Sequence, residues 1–249
     1  MFLKVYADES YDSGIYTCGA FIGWPKDFYY LGVKWDERLQ KDNLRYFRAS
    51  ECEGLYGQFD PQNPPGYGLS QARARAESVR YDLIEIIKSD VIGGISISVS
   101  RKDFEDFVSK DLKAAQRFGT DILIYTYKTL ITLTVELLEQ DWPEYPKPKA
   151  AFLLDEHSNW QKAEEAYSSL KAENTACANR MLVIGHADDE EYPGLQMADL
   201  MAHESRLHTK AHIGNVGTER LMMRELKKKH NVYFTGLMQK EQLQGMLNE

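Results

Sequence analysis

The chain has 249 residues, of which 43% are hydrophobic and 12% aromatic, and its formal net charge is −8. This apolar content is typical of one large folded domain or two small ones and argues against an intrinsically disordered protein. The net charge argues against a protein held to nucleic acid or membrane by bulk charge, but it allows an enzyme with a basic groove beside an acidic, metal-filled site.

The cysteines and the hydrophobic segments indicate the cellular compartment in which we expect the protein. The three cysteines are scattered and form no CxxC pair, so a disulfide framework or a cysteine-based zinc site is not expected. No signal peptide is visible at the N-terminus. The most apolar helical stretch, Ile122 to Leu138, carries Lys128 and Glu136 and is too polar for a membrane span. We expect a soluble, cytoplasmic protein without membrane contact.

The first predicted strand, Phe2 to Ala7, ends abruptly in the acidic pair Asp8-Glu9. A second strand from Ile15 to Trp24 is expected to pair with it through a short turn. A carboxylate at the end of a buried strand is costly to desolvate unless a cation or hydrogen bonds compensate. Asp8 is therefore a candidate ligand, and the alternative is that it only begins the turn.

The next part of the chain mixes predicted helices, strands and one long loop. We predict a short helix over Lys26–Lys41, a third strand over Leu44–Arg48, a loop over Gly54–Ser70, a helix over Ser70–Ser89, a strand over Ile92–Val99 and a charged helix over Arg101–Ala115. Ser50 and Glu51 would then lie at the end of this third strand.

The second half alternates between helices and strands. A long helix begins at a Thr120 or Asp121 cap and runs to about Gln140, and the apolar run Ala150–Leu154 is typical of a buried strand. That strand ends in Asp155-Glu156, the second strand to finish on such a pair. The remaining predictions are a helix over Trp160–Ala172, a strand over Met181–Gly185, and helices over Leu195–His208 and Glu219–His230. A meander followed by alternation predicts a mixed α/β sheet with helices on its faces.

The late helix, GLQMADLMAHESR, carries a narrow polar stripe. Gln196, Asp199 and His203 lie at i, i+3 and i+7 and share one face, while most of the other positions are apolar. Such a stripe indicates a side of the helix that faces a site, and the alternative is an ordinary solvent face. A zinc site of His203, His208 and His212 is rejected because their spacing does not place all three on one face.

Three acids then come together in the predicted arrangement: Asp8 and Asp155 at strand ends, and Asp199 on the late helix. A carboxylate cluster above a sheet edge is suited to hard divalent cations such as Mg²⁺ or Mn²⁺, which take oxygen ligands. Two such ions about 4 Å apart can activate a water molecule and stabilise the leaving oxygen of a phosphodiester.

The YADES start, the LLDE strand end and the PGLQMADLMA helix resemble domain-of-unknown-function family 3800. The resemblance implies a ribonuclease-H-like mixed sheet with helices on both faces and helical insertions, in which the Asp155 strand lies parallel beside the Asp8 strand. We assign residues 1–210 to this domain and 211–249 to a C-terminal helical extension packed on it. The chain departs from the family where Tyr11 follows the Asp-Glu-Ser start and where Arg48 replaces a common His.

The resemblance also implies metal-dependent nuclease chemistry. We expect Asp8, Asp155 and Asp199 to be ligands of Mg²⁺ or Mn²⁺, Glu9 and Glu51 to be further catalytic acids, and Gln196 to position a ligand or a substrate phosphate. His157 and His203 are either proton relays or structural residues. The substrate would be nucleic acid, RNA or DNA. Two alternatives stay open: a non-catalytic binding module on this fold, and a hydrolase of a small phosphorylated metabolite.

Overall fold

The computed structural model describes residues 2–62, 68–89, 92–141, 148–156, 159–173, 176–213, 219–228 and 232–248. The described strands are β1 Phe2–Tyr11, β2 Ile15–Gly23, β3 Gly93–Ser100, β4 Lys149–Asp155, β5 Met181–Ala187 and β6 Val232–Met238. The described helices are α1 Pro25–Gln40, α2 Ala49–Gly54, α3 Leu69–Lys88, α4 Arg101–Lys110, α5 Leu112–Phe118, α6 Ile122–Asp141, α7 Trp160–Ala172, α8 Ala176–Arg180, α9 Pro193–Ile213, α10 Leu221–Leu226 and α11 Lys240–Asn248, with a 3₁₀ turn at Gly57–Phe59.

The strands form one six-stranded mixed sheet in the order β5-β4-β1-β2-β3-β6. The first three strands are an antiparallel meander, and β4 pairs with β1 in parallel. Strand β5 is parallel to β4, and β6 is parallel to β3. The predicted mixed α/β class, the meander and the parallel β1–β4 neighbours are therefore confirmed. The connection from β3 to β4 contains α6, as a parallel crossover requires.

Helices cover both faces of the sheet because the strands alternate between two apolar layers. Leu3, Val5 and Ala7 of β1 belong to the layer that includes residues of α4, α6 and α7, whereas Tyr6 belongs to the layer that includes residues of α1, α3 and α9. Both layers are built from side chains with almost no solvent exposure. A strand buried on both faces needs apolar residues at successive positions, which is why Val5 to Ala7 of β1 and most of β2 are apolar.

Many predicted elements match the structure closely. Helix α7 has the predicted bounds, and Asp121 caps α6 by accepting hydrogen bonds from the backbone N–H groups of Leu123 at 2.8 Å and Ile124 at 3.3 Å. Helix α1 is a full 16 residues rather than a short helix. Part of the predicted Gly54–Ser70 loop, residues 63–67, lies outside the described residues.

The predicted third strand over Leu44–Arg48 is wrong. These residues are irregular and lead directly into α2, so Ser50 and Glu51 lie on a short helix and not at a strand end. Leu44 and Phe47 are buried in the layer beneath α1 and α3. Two apolar anchors three residues apart produced the alternation, and they fix a loop to the core instead of forming a strand.

The C-terminal segment 211–249 is more than a helical extension. Its strand β6 pairs with β3 and completes the edge of the sheet, and α10 is shorter than the predicted Glu219–His230 helix. Residues 229–230 of that predicted helix lie outside the described residues. The proposed boundary at residue 210 stays a prediction. Among the described helices, none is long and apolar enough to cross a membrane.

Candidate active site

A cavity of about 530 Å³ opens where the chain leaves β1 and β4. Its lining is mostly acidic, with six carboxylate side chains and one cationic side chain among the described residues. The lining residues are Asp8, Glu9, Tyr11, Arg48, Ser50, Asp155, Asn159, Asp189, Glu190 and Asp199. We call this the acid cavity. It contains Asp8, Asp155 and Asp199, which come from three distant parts of the chain.

Strand register places Asp8 and Asp155 together. The parallel pairing of β1 with β4 ends at Ala7 and Leu154, so Asp8 and Asp155 are the next residue of each strand. Neighbouring strands with aligned positions point their side chains to the same face. Strand β1 itself continues to Tyr11 by pairing with β2, so it is longer than the predicted Phe2–Ala7 strand.

Helix α9 brings Asp199 over the same face, and two glycines allow its close approach. A Cβ atom on Gly19, the β2 partner of Asp8, would lie 2.6 Å from the backbone nitrogen of Ala202 in α9. A Cβ atom on Gly194 would lie 2.5 Å from the ring of Tyr6 in β1. Contacts this short exclude any side chain, so the helix backbone rests directly on the sheet.

Asp199 is bonded on one side and faces the cavity as well. Its Oδ2 accepts a hydrogen bond of 2.7 Å from the backbone N–H of Ala49, the first residue of α2. A carboxylate at a helix N-terminus is favourable because the free N–H groups there carry partial positive charge. Within the described part of the chain, neither Asp8 nor Asp199 forms an ion pair.

The crowding of acids changes their proton affinities. Burial raises the pKa of Asp8 well above its ordinary value, and the charges of Asp199, Glu9 and Asp155 raise it further. Burial also raises the pKa of Asp199 to about 7; the Ala49 N–H lowers it, and Asp189 raises it. Both shifts mean that the negative charge of these carboxylates lacks compensation in the protein alone.

The only cationic side chain among the described lining residues is Arg48, and the prediction did not assign it a role. Its guanidinium donates to both carboxylate oxygens of Asp189, with Nε–Oδ2 and Nη2–Oδ1 distances of 2.9 and 2.7 Å. Asp189 is 5% exposed and lies in the acidic loop before α9. The loop was visible in the sequence as a run of acids, but its contact with Arg48 joins positions 141 residues apart.

Glu9 lines the cavity but acts on the opposite face of the sheet from Asp8. Its Oε1 accepts hydrogen bonds from the backbone N–H and the side-chain amide of Asn159, at 2.8 and 2.9 Å, and its Oε2 accepts one from the hydroxyl of Tyr127. Glu9 thus holds the start of α7 against α6. The structure places this predicted catalytic acid as a residue that orients Asn159 at the rim.

Glu51 and Gln196 lie outside the cavity lining, and the roles predicted for them stay predictions. Glu51 accepts hydrogen bonds from the Tyr46 hydroxyl at 3.3 Å and the Gln58 backbone N–H at 3.0 Å. The Oε1 atom of Gln196 accepts from Trp35 at 2.8 Å and from the backbone N–H of Phe47 at 2.9 Å.

The amide nitrogen of Gln196 donates to the carbonyl oxygen of Asp189 at 2.8 Å, and the residue is 1% exposed. Gln196 therefore fastens the loops on both sides of the cavity to α9. Its hydrogen bonds hold Asp189 and the segment before Arg48 in place. Its place on the same helical face as Asp199 was predicted, but the sequence did not show that protein groups fill its hydrogen-bonding positions.

His203 is buried beside a different charge cluster and does not line the acid cavity. Burial lowers the pKa of His203 to about 4, and the nearby Arg206 lowers it further. Its Nε2 atom has no hydrogen-bond partner among the described residues. The other predicted relay, His157, lies outside the described residues.

The donor set of the cavity fits a hard cation in its chemistry. Carboxylate oxygens from Asp8, Asp155 and Asp199 are the ligands that Mg²⁺ and Mn²⁺ prefer. Among the described residues, however, no three His, Cys, Asp or Glu side chains lie close enough together to hold an ion as they stand. Like-charged carboxylates repel, so a cation that binds here has to draw these side chains inward.

Comparison of the sequence with protein-family models gave no match, and comparison with curated proteins gave no significant match. The resemblance to domain-of-unknown-function family 3800 stays a prediction that rests on the three motifs.

Proposed function

We propose that this chain is a divalent-metal-dependent phosphodiester hydrolase that acts on a nucleic acid strand, with Mg²⁺ or Mn²⁺ as cofactor. The observation that carries the proposal is the composition of the acid cavity. Asp8, Asp155 and Asp199 line it together, and its single described cationic side chain, Arg48, is already paired with Asp189. Such an imbalance of charge at a sheet edge is what a bound cation would neutralise.

The raised pKa values of Asp8 and Asp199 support a cation site over a purely structural cluster. Buried carboxylates that stabilise a fold are usually paired with Arg or Lys or receive several hydrogen bonds. Among the described residues, Asp8 receives one hydrogen bond, from the backbone N–H of Glu9 at 2.8 Å, and Asp199 receives one from the backbone N–H of Ala49. A divalent ion held by these oxygens would remove the repulsion and supply a nucleophilic water and a stabilised leaving oxygen.

Arg48 is the group suited to a substrate phosphate. A guanidinium presents several N–H donors in a plane and binds phosphate oxygens in pairs. The side chain of Arg48 is 31% exposed, whereas the side chain of its partner Asp189 is 7% exposed, so Arg48 reaches solvent from a buried anchor. In the proposed reaction Asp189 holds Arg48 in the cavity, and a phosphate oxygen takes up donors that Asp189 leaves accessible.

The uncharged residues at the rim can orient the rest of a strand. Tyr11 and Ser50 bring hydroxyl groups, and Asn159 is held in place by Glu9. These groups donate to or accept from phosphate and sugar oxygens without adding charge. Because the cavity itself is acidic, we expect an anionic strand to bind only when the divalent ion is present.

The test compares the parent with Asp199→Asn, Asp155→Asn and the matched control Glu156→Gln, whose carboxylate adjoins Asp155 but is exposed and does not line the cavity. Melting curves are recorded with and without Mn²⁺, beside cleavage assays on single-stranded, duplex and hybrid nucleic acid. We expect Mn²⁺ to raise the melting temperature of the parent and the control because it binds only the folded form.

The two aspartate variants should lose that rise and at least about a thousandfold in cleavage, which corresponds to ~4 kcal/mol of transition-state stabilisation. An equal metal response in Asp199→Asn and the parent would remove Asp199 from the site. A parent that binds Mn²⁺ and hydrolyses only a small phosphoester would contradict the nucleic acid substrate.

A further inference from the structure

A second cavity, of about 380 Å³, lies beside the acid cavity. Its lining residues are Leu154, Trp160, Glu164, Ile184, Gly185 and His186. We call it the aromatic cavity. The residues that line the two cavities are chain neighbours at the end of β4, where Leu154 precedes Asp155, and at the start of α7, where Asn159 precedes Trp160.

Trp160 and His186 form a stacked pair in this cavity. Their ring centroids are 4.2 Å apart and the ring planes are inclined by 26°. Trp160 is the first residue of α7, directly after the Asn159 that Glu9 holds, and His186 is opposite Leu154 in the β4–β5 pairing. His186 is exposed and Trp160 is half-buried. The exposed His186 ring therefore stacks with one face on Trp160 and leaves its other face available for a further flat ring.

We infer that the aromatic cavity is a nucleobase subsite for the strand whose phosphate lies in the acid cavity, an inference that rests on the proposed function. Bases stack on aromatic side chains with little regard to sequence, because every base has a flat π-face. The apolar floor of Leu154 and Ile184 suits the body of a base. Glu164 supplies an acceptor for an exocyclic amino group, as acidic side chains do for cytosine.

The positions of the two cavities on opposite faces of the sheet would separate the backbone of a bound strand from its base. Leu154 and Asp155 point to opposite faces of β4, so the aromatic cavity lies on the α7 face while the three acids lie on the α9 face. A strand that crosses the end of the sheet would place its backbone over Asp155 and turn one base toward Trp160. A small phosphoester that lacks a nucleobase would contact only the acid cavity.

The experiment measures equilibrium binding by fluorescence anisotropy in Mn²⁺, with an end-labelled, cleavage-resistant oligonucleotide that has phosphonate linkages. The same strand without bases is the comparison ligand. We expect the parent to bind the base-containing strand about tenfold more tightly than the abasic strand, within the range measured for one base–aromatic stack.

His186→Ser and Trp160→Leu should bring that ratio close to one, and Trp160→Phe should retain most of it. Val183→Ser, at an exposed position of β5 that does not line the cavity, is the matched control and should behave as the parent does. Because His186 is exposed, its replacement should not disturb folding, so the result does not depend on the stability of the Trp160 variant.

The two proposals fail in different ways. A parent that cleaves nucleic acid but binds base-containing and abasic strands equally overturns the base subsite and leaves the hydrolase in place. Base discrimination that survives both His186→Ser and Trp160→Leu also overturns it. Discrimination that these variants abolish, in a protein that cleaves no strand, supports the subsite and overturns the hydrolase.

Discussion

Helix α9 borders two clusters of charged residues that are built in opposite ways. Asp199 faces the acid cavity, where six carboxylates surround one arginine. Five residues later, Glu204 is 2% exposed and receives two hydrogen bonds from Arg220, at 3.0 and 2.6 Å. Arg220 and Arg80 also bind Glu53, with Nη2–Oε2 and Nη1–Oε2 distances of 3.0 and 2.5 Å. We call Glu53, Arg80, Glu204 and Arg220 the paired network.

The two clusters have opposite effects on proton affinity. Although burial alone would raise it, the pKa of Glu53 is lowered to about 2 by the hydrogen bond and charge of Arg220 and by Arg80, whereas burial and nearby acids raise the pKa of Asp199 to about 7. One helix therefore carries a carboxylate cluster that the protein compensates and another that it does not. The difference indicates that charge in the paired network serves the fold, and it supports our proposal that charge in the acid cavity is neutralised by a bound cation.

The largest expected effect comes from breaking the paired network. Arg220→Gln should destabilise the protein by about 3 kcal/mol, because it leaves the buried Glu204 with Arg80 at 3.6 Å as its remaining cation. Urea denaturation with and without Mn²⁺ measures this. Mn²⁺ should stabilise the Arg220→Gln variant by no more than it stabilises the parent. If Mn²⁺ restored the full unfolding free energy of the parent, the two clusters would be one metal-responsive unit.

Separating α9 from the sheet should have the next largest effect. Gly19→Ala places a Cβ atom 2.6 Å from the backbone nitrogen of Ala202, so α9 must shift, at a cost of about 2 kcal/mol. The shift carries Asp199 away from Asp8, and Mn²⁺ should then raise the melting temperature less than in the parent. Gly185→Ala is the matched control, since its Cβ atom would meet only Leu153 at an ordinary 3.8 Å. Equal unfolding free energies for the two variants would contradict this packing.

Removing Arg48, the single cationic side chain among the described residues of the acid cavity, should weaken substrate binding and strengthen metal binding. Arg48→Gln takes away the guanidinium proposed for the phosphate, so the KM for nucleic acid should rise about tenfold, or ~1.4 kcal/mol. The same change leaves Asp189 without its 2.7 Å partner, so the Kd for Mn²⁺ should fall. Steady-state kinetics and calorimetric titration measure the two quantities. Arg224→Gln, an exposed residue of α10 whose partner Glu225 does not line the cavity, serves as the control.

The smallest expected effect is a pH dependence with a defined sign. The pKa of Asp199 is about 7 in the folded protein against an ordinary 3.8, so the folded form binds the proton more tightly. In metal-free protein, stability should therefore rise as the pH falls through 7 toward 3.8, by about 1 kcal/mol or less between pH 8 and 6.5.

Several other groups, among them His203 and Glu53, titrate in the acidic range with the opposite sign. His203, with its pKa lowered to about 4, costs stability as the pH falls below its ordinary 6.5, and Glu53 does so below 4.5. The measurement is therefore the difference in unfolding free energy between the parent and Asp199→Asn at each pH, from which these groups cancel. A difference that does not change with pH would contradict the raised pKa of Asp199.

Local pattern was enough to predict much of the fold and the three aspartates. Continuous apolar runs mark β1 and β4 because strands covered on both faces need apolar residues at every position. The Asp121 cap and the spacing of apolar residues located α6, since caps and helical periodicity act over a few residues. Acids that directly follow such elements could be recognised without any knowledge of contacts.

The apparent strand over Leu44–Arg48 and the overlooked β6 show where local pattern fails. Leu44 and Phe47 are buried by α1 and α3, which the alternation of residues 44–48 could not reveal. Strand β6 forms its strand pairing with β3, which lies far from it in the sequence. Whether a short segment forms a strand depends on a pairing partner that is far away in the chain.

The sequence by itself determined which carboxylates follow buried strands, which helix carries the polar stripe, and that the sheet would be mixed. Only the tertiary structure decided what each polar group contacts. Gln196 and Glu51 are bonded to protein groups, Glu9 acts on the other face, and Arg48 meets Asp189 across 141 residues of chain. The physical reason is that burial and periodicity are encoded over a few neighbouring residues, whereas a hydrogen bond or an ion pair requires two distant segments to be packed at about 3 Å.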